Sequence, residues 1–179
     1  MNEVALFNNY AIAILEVAIE EGKVEEYRKE IKVLKEVFKT NFDYVHFLGD
    51  YNIPLSEKYK TIDDSFKNVL PSLVSFIKII VKNKRATYLG KIFKEANYRF
   101  NDYLHIEEGK IYLAKEIDQE TMGKIVKAIE ENEKAKIELE TVYDPSLLGG
   151  FIVSIKDNVY DASLINKLEK MKIAILGGE

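Results

Sequence analysis

From the N-terminus to about residue 104, apolar positions recur every three or four residues. Val24, Tyr27, Ile31, Leu34 and Phe38 advance in that rhythm, which puts them on one stripe of a long amphipathic helix whose Lys and Glu residues face water. Tyr88, Ile92, Ala96, Phe100 and Tyr103 repeat the pattern. Shorter helical stretches are predicted over 43–49 and 56–66, on either side of a break from Gly49 to Pro54. Pro71 opens a further helix, since its missing N–H falls in the first turn, where it costs nothing. With the opening segment, these elements predict a six-helix bundle.

Past His105 the period changes. Ile111 and Leu113 alternate with Lys110 and Tyr112, as in a half-buried strand. Asp118 is placed to cap a helix whose buried face is Met122, Ile125, Val126 and Ile129. Ile137 and Leu139 alternate with Glu138 and Glu140, Phe151 to Ile155 form another strand candidate, and Leu164, Leu168, Met171 and Ile175 lie on one stripe of a last helix. The expected fold is therefore α+β. A helical domain over 1–104 is followed by a small α+β domain over 105–179, joined near His105 to Gly109.

Two helices carry more apolar surface than one buried face needs. In the first, Ala5 to Ile19, the clear polar points are Asn8, Asn9 and Glu16; in the other, Leu73, Val74, Phe76, Ile77, Ile79, Ile80 and Val81 are all apolar. A bundle helix needs an apolar stripe of roughly 100°. The excess fits a helix surrounded by its siblings, or a groove shared by the two helices that accepts an amphipathic helix from a partner. In the second case Ala11, Ala13 and Ala18 would permit close approach.

Composition narrows the function. The 179 residues are 47% hydrophobic, enough for a substantial core. Without cysteine there are no disulfides, thiolate metal sites or cysteine nucleophiles. A balance of 26 basic against 30 acidic residues, with no basic block, argues against nucleic acid as a partner. The apolar run Tyr10 to Ile19 is too short to cross a bilayer and is not framed as a signal peptide. Any membrane association is expected to go through a partner.

Candidate chemistry is sparse. Gly149 and Gly150 lead into Phe151, Ile152 and Val153, a strand pattern, whereas a phosphate cradle needs glycines that lead into a helix. A bulge or a close backbone approach accounts for them better. Asp144, Asp157 and Asp161 would make an acid–base hydrolase only if they converged. Each has a simpler duty: Asp144 before Pro145 in a turn, Asp157 with Asn158 in a hairpin loop, and Asp161 or Ser163 as a helix cap. His46 and His105 stand apart, with no second histidine at ligand spacing. No catalytic residue, cofactor site or metal site is expected.

Three stretches together resemble the delta subunit of the F-type ATP synthase, whose mitochondrial counterpart is the oligomycin sensitivity conferral protein. YAIAILEVAIEEGKVEEY (10–27) is similar to the family's opening helix with its Tyr-Ala-x-Ala core. FIKIIVKNKRATYLGKIFKEANYRFNDY (76–103) is similar to its fifth and sixth helices around an Asn-x-Arg junction, here Asn83 to Arg85. DPSLLGGFIVSIKDNVYDAS (144–163) resembles its Asp-Pro-x-x-x-Gly-Gly, strand, turn and Asp-x-Ser. The resemblance runs nearly end to end. It departs at the turn, where the family carries Gly-Asp and this chain has Lys156 and Asp157, so the tight positions are expected at Asp157 and Asn158 instead.

The resemblance implies a non-catalytic stator subunit at the cytoplasmic face of the cell membrane, monomeric when isolated, with the ATP synthase alpha and b subunits as partners. The helical domain would bind the N-terminal helices of the alpha subunits and the C-terminal region the end of the b-subunit stalk. The expected alpha-binding groove comprises Tyr10, Ala11, Ala13, Ile14 and Ala18 with Leu73, Phe76, Ile77 and Ile80, and the last helix and the sheet are expected to build the domain that meets the stalk. The alternative is a helical-bundle adaptor for an amphipathic helix of an unrelated partner.

Overall fold

The computed structural model describes residues 3–176; residues 1–2 and 177–179, the outer ends of the two expected domains, lie outside it. The chain divides into two compact units between Leu104 and His105, each with its own core. Mixed helix and sheet make the fold α+β.

The first unit contains α1 (Glu3–Glu20), α2 (Val24–Thr40), α3 (Phe42–Gly49), α4 (Leu55–Ser65), α5 (Pro71–Lys82), a 3-10 turn at Ala86–Tyr88 and α6 (Leu89–Tyr103). α6 packs against α1 and α2, and buries Leu89, Ile92, Phe93, Ala96 and Phe100. The α2 stripe is buried at Tyr27, Ile31, Leu34 and Phe38, the residues its period selects. Full burial of side chains of this size contributes roughly 1.5–3 kcal/mol each. Arg28 and Asn101, both buried, add a polar cross-link between α2 and α6, with Arg28 Nε donating to Asn101 Oδ1 at 2.7 Å.

Local signals set the helix ends. Gly22, at φ +67°, lets the chain leave α1, and Lys23 N–H returns to the Ala18 carbonyl at 3.0 Å. Pro71 is at the start of α5. Two acids anchor that start: Glu30 on α2 accepts from Leu70 N–H at 2.8 Å, and Glu21 from the Ser72 hydroxyl at 2.7 Å.

The second unit has β1 (Ile106–Leu113), α7 (Gln119–Glu133), β2 (Lys136–Tyr143), β3 (Phe151–Ile155), β4 (Asn158–Asp161) and α8 (Leu164–Leu176). The sheet order is β2-β1-β3-β4, with β1 and β2 parallel and the other pairs antiparallel. Ile111, Leu113, Ile137, Val153 and Ile155 bury one core with Ile125 and Ile129 of α7. Asp118 caps α7, accepting from Thr121 N–H at 2.8 Å.

Three expectations change here. The joint near His105 to Gly109 is mostly strand, because parallel pairing with β2 begins at Ile106 and holds Glu107 and Glu108 in register. Gly109 belongs there for a steric reason: a Cβ would lie 2.5 Å from Ile155 Cγ1 and 2.7 Å from the Ser154 carbonyl oxygen. The β3–β4 hairpin turns at Lys156–Asp157, not at Asp157 and Asn158, since Ile155 pairs directly with Asn158. Lys156 therefore takes the left-handed position itself, at φ +49°, and its ammonium is held 2.7 Å from Glu107 Oε1. Finally, the apolar stripe of the last helix does not join the sheet in building the core of this unit; Leu164, Leu168, Met171 and Ile175 are exposed.

Candidate functional site: an apolar groove between two helices

α1 and α5 border a groove of 460 Å³, lined by Tyr10, Ala13, Ile14 and Val17 from α1 and by Pro71, Ser72, Ser75, Phe76 and Ile79 from α5. No charged side chain lines it. The Asn-x-Arg junction after α5 secures one end: the Tyr10 hydroxyl accepts from Asn83 Nδ2 and from Arg85 Nη1, each at 3.0 Å, and the Arg85 guanidinium lies 5.6 Å from the Tyr10 ring centroid. Phe76 meets Tyr10 edge-on, with centroids 5.9 Å apart. Near the start of α5, the hydrogen bond from the Ser72 hydroxyl holds the Glu21 carboxyl below its usual range.

The nine residues expected at the site divide into two sets. Tyr10, Ala13, Ile14 and Phe76 line the groove. Ala11, Ala18, Leu73, Ile77 and Ile80 have no exposed surface at all and belong to the core beneath it. Both sets obey the helical period. On α1, residues 11, 14 and 18 are buried while 10, 13 and 17 face the groove, the same spacing shifted by one residue, and the 2%-exposed Ile14 forms the groove's floor where the two stripes meet. Because almost every position there is apolar, hydrophobicity supplies no phase to tell the two stripes apart. On α5 the missed residues did carry a signal: Ser72, Ser75 and the half-exposed Ile79 recur at spacings of three and four, and the serines mark the side that meets water.

The second unit presents a different surface. Leu164, Ile165, Leu168, Met171, Ile173 and Ile175 of α8 are all exposed, and Leu148, next in the chain to the Gly149 that meets Leu164, is 73% exposed. The first turn of α8 is tied down. Ser163 Oγ accepts from Asn166 N–H at 3.2 Å, and Leu164 N–H donates to the Gly149 carbonyl at 2.9 Å. Gly150, at φ +79°, makes this junction possible, because a Cβ would run into the Ala162 carbonyl and approach Ser163 Cα to 2.9 Å. The glycine pair is thus a backbone crossing between the start of β3 and the start of α8.

The three aspartates do not form an acid–base set. Asp144 Oδ1 accepts from the Ser146 hydroxyl and N–H at 2.6 and 2.9 Å, bonds that hold its carboxyl below the usual range; the Ser163 side chain, and with it the Ser163 N–H at 2.8 Å from Oδ1, does the same for Asp161. Asp157 is in the hairpin turn. A low pKa suits a turn acceptor and makes a poor general acid near neutral pH. Among the described residues, no three His, Asp or Glu side chains are grouped to hold a metal ion, and no helix is long and apolar enough to cross a membrane.

Comparison with known proteins bears on both surfaces. The chain is 30% identical to the ATP synthase subunit delta of Desulfotalea psychrophila, over the full length of both proteins. It is 30% identical to that of Mycoplasma mobile over 95% of each, and 27% identical to that of Halalkalibacterium halodurans over 99% of this chain and 98% of the relative. A chain of the mitochondrial ATP synthase hexamer of Toxoplasma gondii shares the fold, with a TM-score of 0.64 at 16% identity, covering 96% of this chain and 97% of that one. The pattern of the ATP synthase delta (OSCP) subunit family matches residues 6–175. With groove and exposed helix both inside that match, the chain belongs to the ATP synthase delta (OSCP) subunit family.

Proposed function

We propose that this chain is a non-catalytic stator subunit of an F-type ATP synthase. Its first unit, a six-helix bundle forming a domain of its own over 1–104, docks the N-terminal helices of the alpha subunits in the α1–α5 groove. Its second, over 105–179, holds the end of the b-subunit stalk through the apolar stripe of α8. It works at the cytoplasmic face of the cell membrane, reached through these partners, and keeps the catalytic head from turning with the rotor, so that ion flow is coupled to ATP synthesis.

The observation that carries this reading is the uncharged α1–α5 groove, in a chain whose relatives are delta subunits. An open apolar trough between two helices is the shape that receives the apolar face of a third. Two docking surfaces on one chain also suit a part that must resist torque. Once one contact forms, the other becomes intramolecular, and the assembly is held more tightly than either contact alone would hold it.

Reconstitution tests the proposal. The purified chain, mixed with synthase head and with membranes carrying the b subunits, should co-purify with both and restore ATP-driven ion pumping to preparations stripped of it. A chain that binds neither, and instead draws an unrelated helical protein out of solution, would make it an adaptor of another kind.

A further inference from the structure

A second groove, of 530 Å³, opens on the first unit between α2, α3 and the start of α6. Its floor is aromatic and built in: Phe38 is packed with ring centroids 5.2 Å from Phe93 and 5.8 Å from Phe66, and Val45 and the 74%-exposed Phe42 of α3 extend that floor. Gly90 of α6 lies against the Phe38 carbonyl, where a Cβ would make ordinary contact at 3.4 Å. On one wall Lys35 and Lys39 stand one turn apart on α2; on the other, Lys91 and Lys94 stand one turn apart on α6.

The charge of this groove is opposite to that of the chain. The protein carries a net charge of −4, yet four lysines and one glutamate line the groove. Glu36 lies 3.3 Å from Lys39 and 3.7 Å from Lys35, and Lys91 lies 3.7 Å from Glu3. The Lys39–Glu36 and Lys91–Glu3 pairs are exposed and worth only tenths of a kcal/mol, so an incoming carboxylate can replace them. The α1–α5 groove, by contrast, has no charged lining.

We infer that the α2–α3–α6 groove is a second docking site, for an amphipathic helix whose apolar face carries aliphatic or aromatic anchors and whose flanks are acidic. Anchors three or four residues apart seat on Phe38, Phe42 and Val45. Asp or Glu residues one turn apart on either flank meet the two lysine pairs. The preformed floor reduces the ordering cost of binding, and the lysines select for charge.

Two synthetic helical peptides of ~15 residues, about four turns, serve as probes. They share one Leu/Phe face and differ only in a polar face of Glu or of Lys. By fluorescence anisotropy on the full chain at low salt, the Glu peptide is expected to bind at least about tenfold more tightly than the Lys peptide, with an advantage that shrinks at high salt. The double variant Lys39→Glu/Lys94→Glu should reverse the preference, and Phe42→Ala should weaken both peptides. Ala13→Glu, in the α1–α5 groove, should leave binding of the Glu peptide unchanged, which keeps this site separate from the proposed alpha-subunit site. Equal binding of the two peptides would overturn the inference. So would loss of binding in Ala13→Glu but not in the lysine variant, or lysine-dependent binding of dodecanoate by a chain that ignores the Glu peptide.

Discussion

Ala13→Glu separates the groove from the core in a single substitution. Ala13 is exposed on the wall of the α1–α5 groove, two residues from the fully buried Ala11. In the free protein a glutamate at position 13 reaches water, so stability should change by no more than about 0.5 kcal/mol. With a helix seated in the groove, the carboxylate is covered among Tyr10, Val17 and Ile79, where no cation lines the walls. Leaving a buried charge unpaired costs roughly 3–5 kcal/mol. Because the groove is open, part of that is relieved by water, and about 2–3 kcal/mol is expected in binding. That is roughly a 30- to 150-fold rise in Kd for an alpha-subunit N-terminal peptide. Ala11→Glu is the contrasting variant. With no exposed surface at position 11, the same charge must be buried in the folded unit, and most of the 3–5 kcal/mol should appear as lost stability. Calorimetric titration with the peptide, paired with thermal circular dichroism, reads both quantities. Peptide affinity within twofold of wild type in Ala13→Glu, or a wild-type melt in Ala11→Glu, would refute the assignment of the two stripes.

Three further outcomes test the second unit. Gly150→Ala should destabilise it by at least about 2 kcal/mol in urea denaturation, since it combines a left-handed backbone with a collision at Ala162 and Ser163; a neutral result would show that the crossing can relax. Lys156→Gly relieves left-handed strain of roughly 1–2 kcal/mol and gives up a partly exposed ion pair with Glu107 worth about 0.2–1 kcal/mol. It should therefore melt at or above the wild-type temperature, and a clear drop would mean that the pair outweighs the strain. The Tyr160 hydroxyl, and with it Asn158, donates to Glu133 and holds that carboxyl below its usual value of 4.5. A depressed carboxylate stabilises the fold above its unfolded pKa and loses that contribution as pH falls through the folded value. Tyr160→Phe should be less stable than wild type at pH 7, with the gap closing below about pH 4.5; a gap that persists in strong acid would place its origin in packing.

Much of this architecture was legible without coordinates. In α2, with its one apolar stripe, and in β1 from Lys110 to Leu113, with its strict alternation, burial follows the pattern, because a single phase of the period is consistent with a core; α8, whose single stripe is exposed, departs from it. Turn chemistry was equally local: Asp118 and Ser163 cap helices, and Asp144 closes on Ser146, because a short side chain finds its backbone partners within a few residues. The polar beginning of β1 escaped, since Glu107 and Glu108 are held by pairing with a strand thirty residues on, which no local pattern records.

By itself, then, the sequence determined that the chain has a helical part and a mixed part, where most elements begin and end, and that α1 and α5 carry more apolar surface than a core requires. Only the tertiary structure decided which of their residues face outward. On α1 two stripes of identical spacing, 11-14-18 and 10-13-17, differ only in what lies beside them, and that is set by the position of α5 and α6. The same holds at Lys156. Its side chain gives no local reason for a left-handed backbone, but the register of β3 with β4 leaves two residues for the turn, and Glu107 from another strand receives its charge.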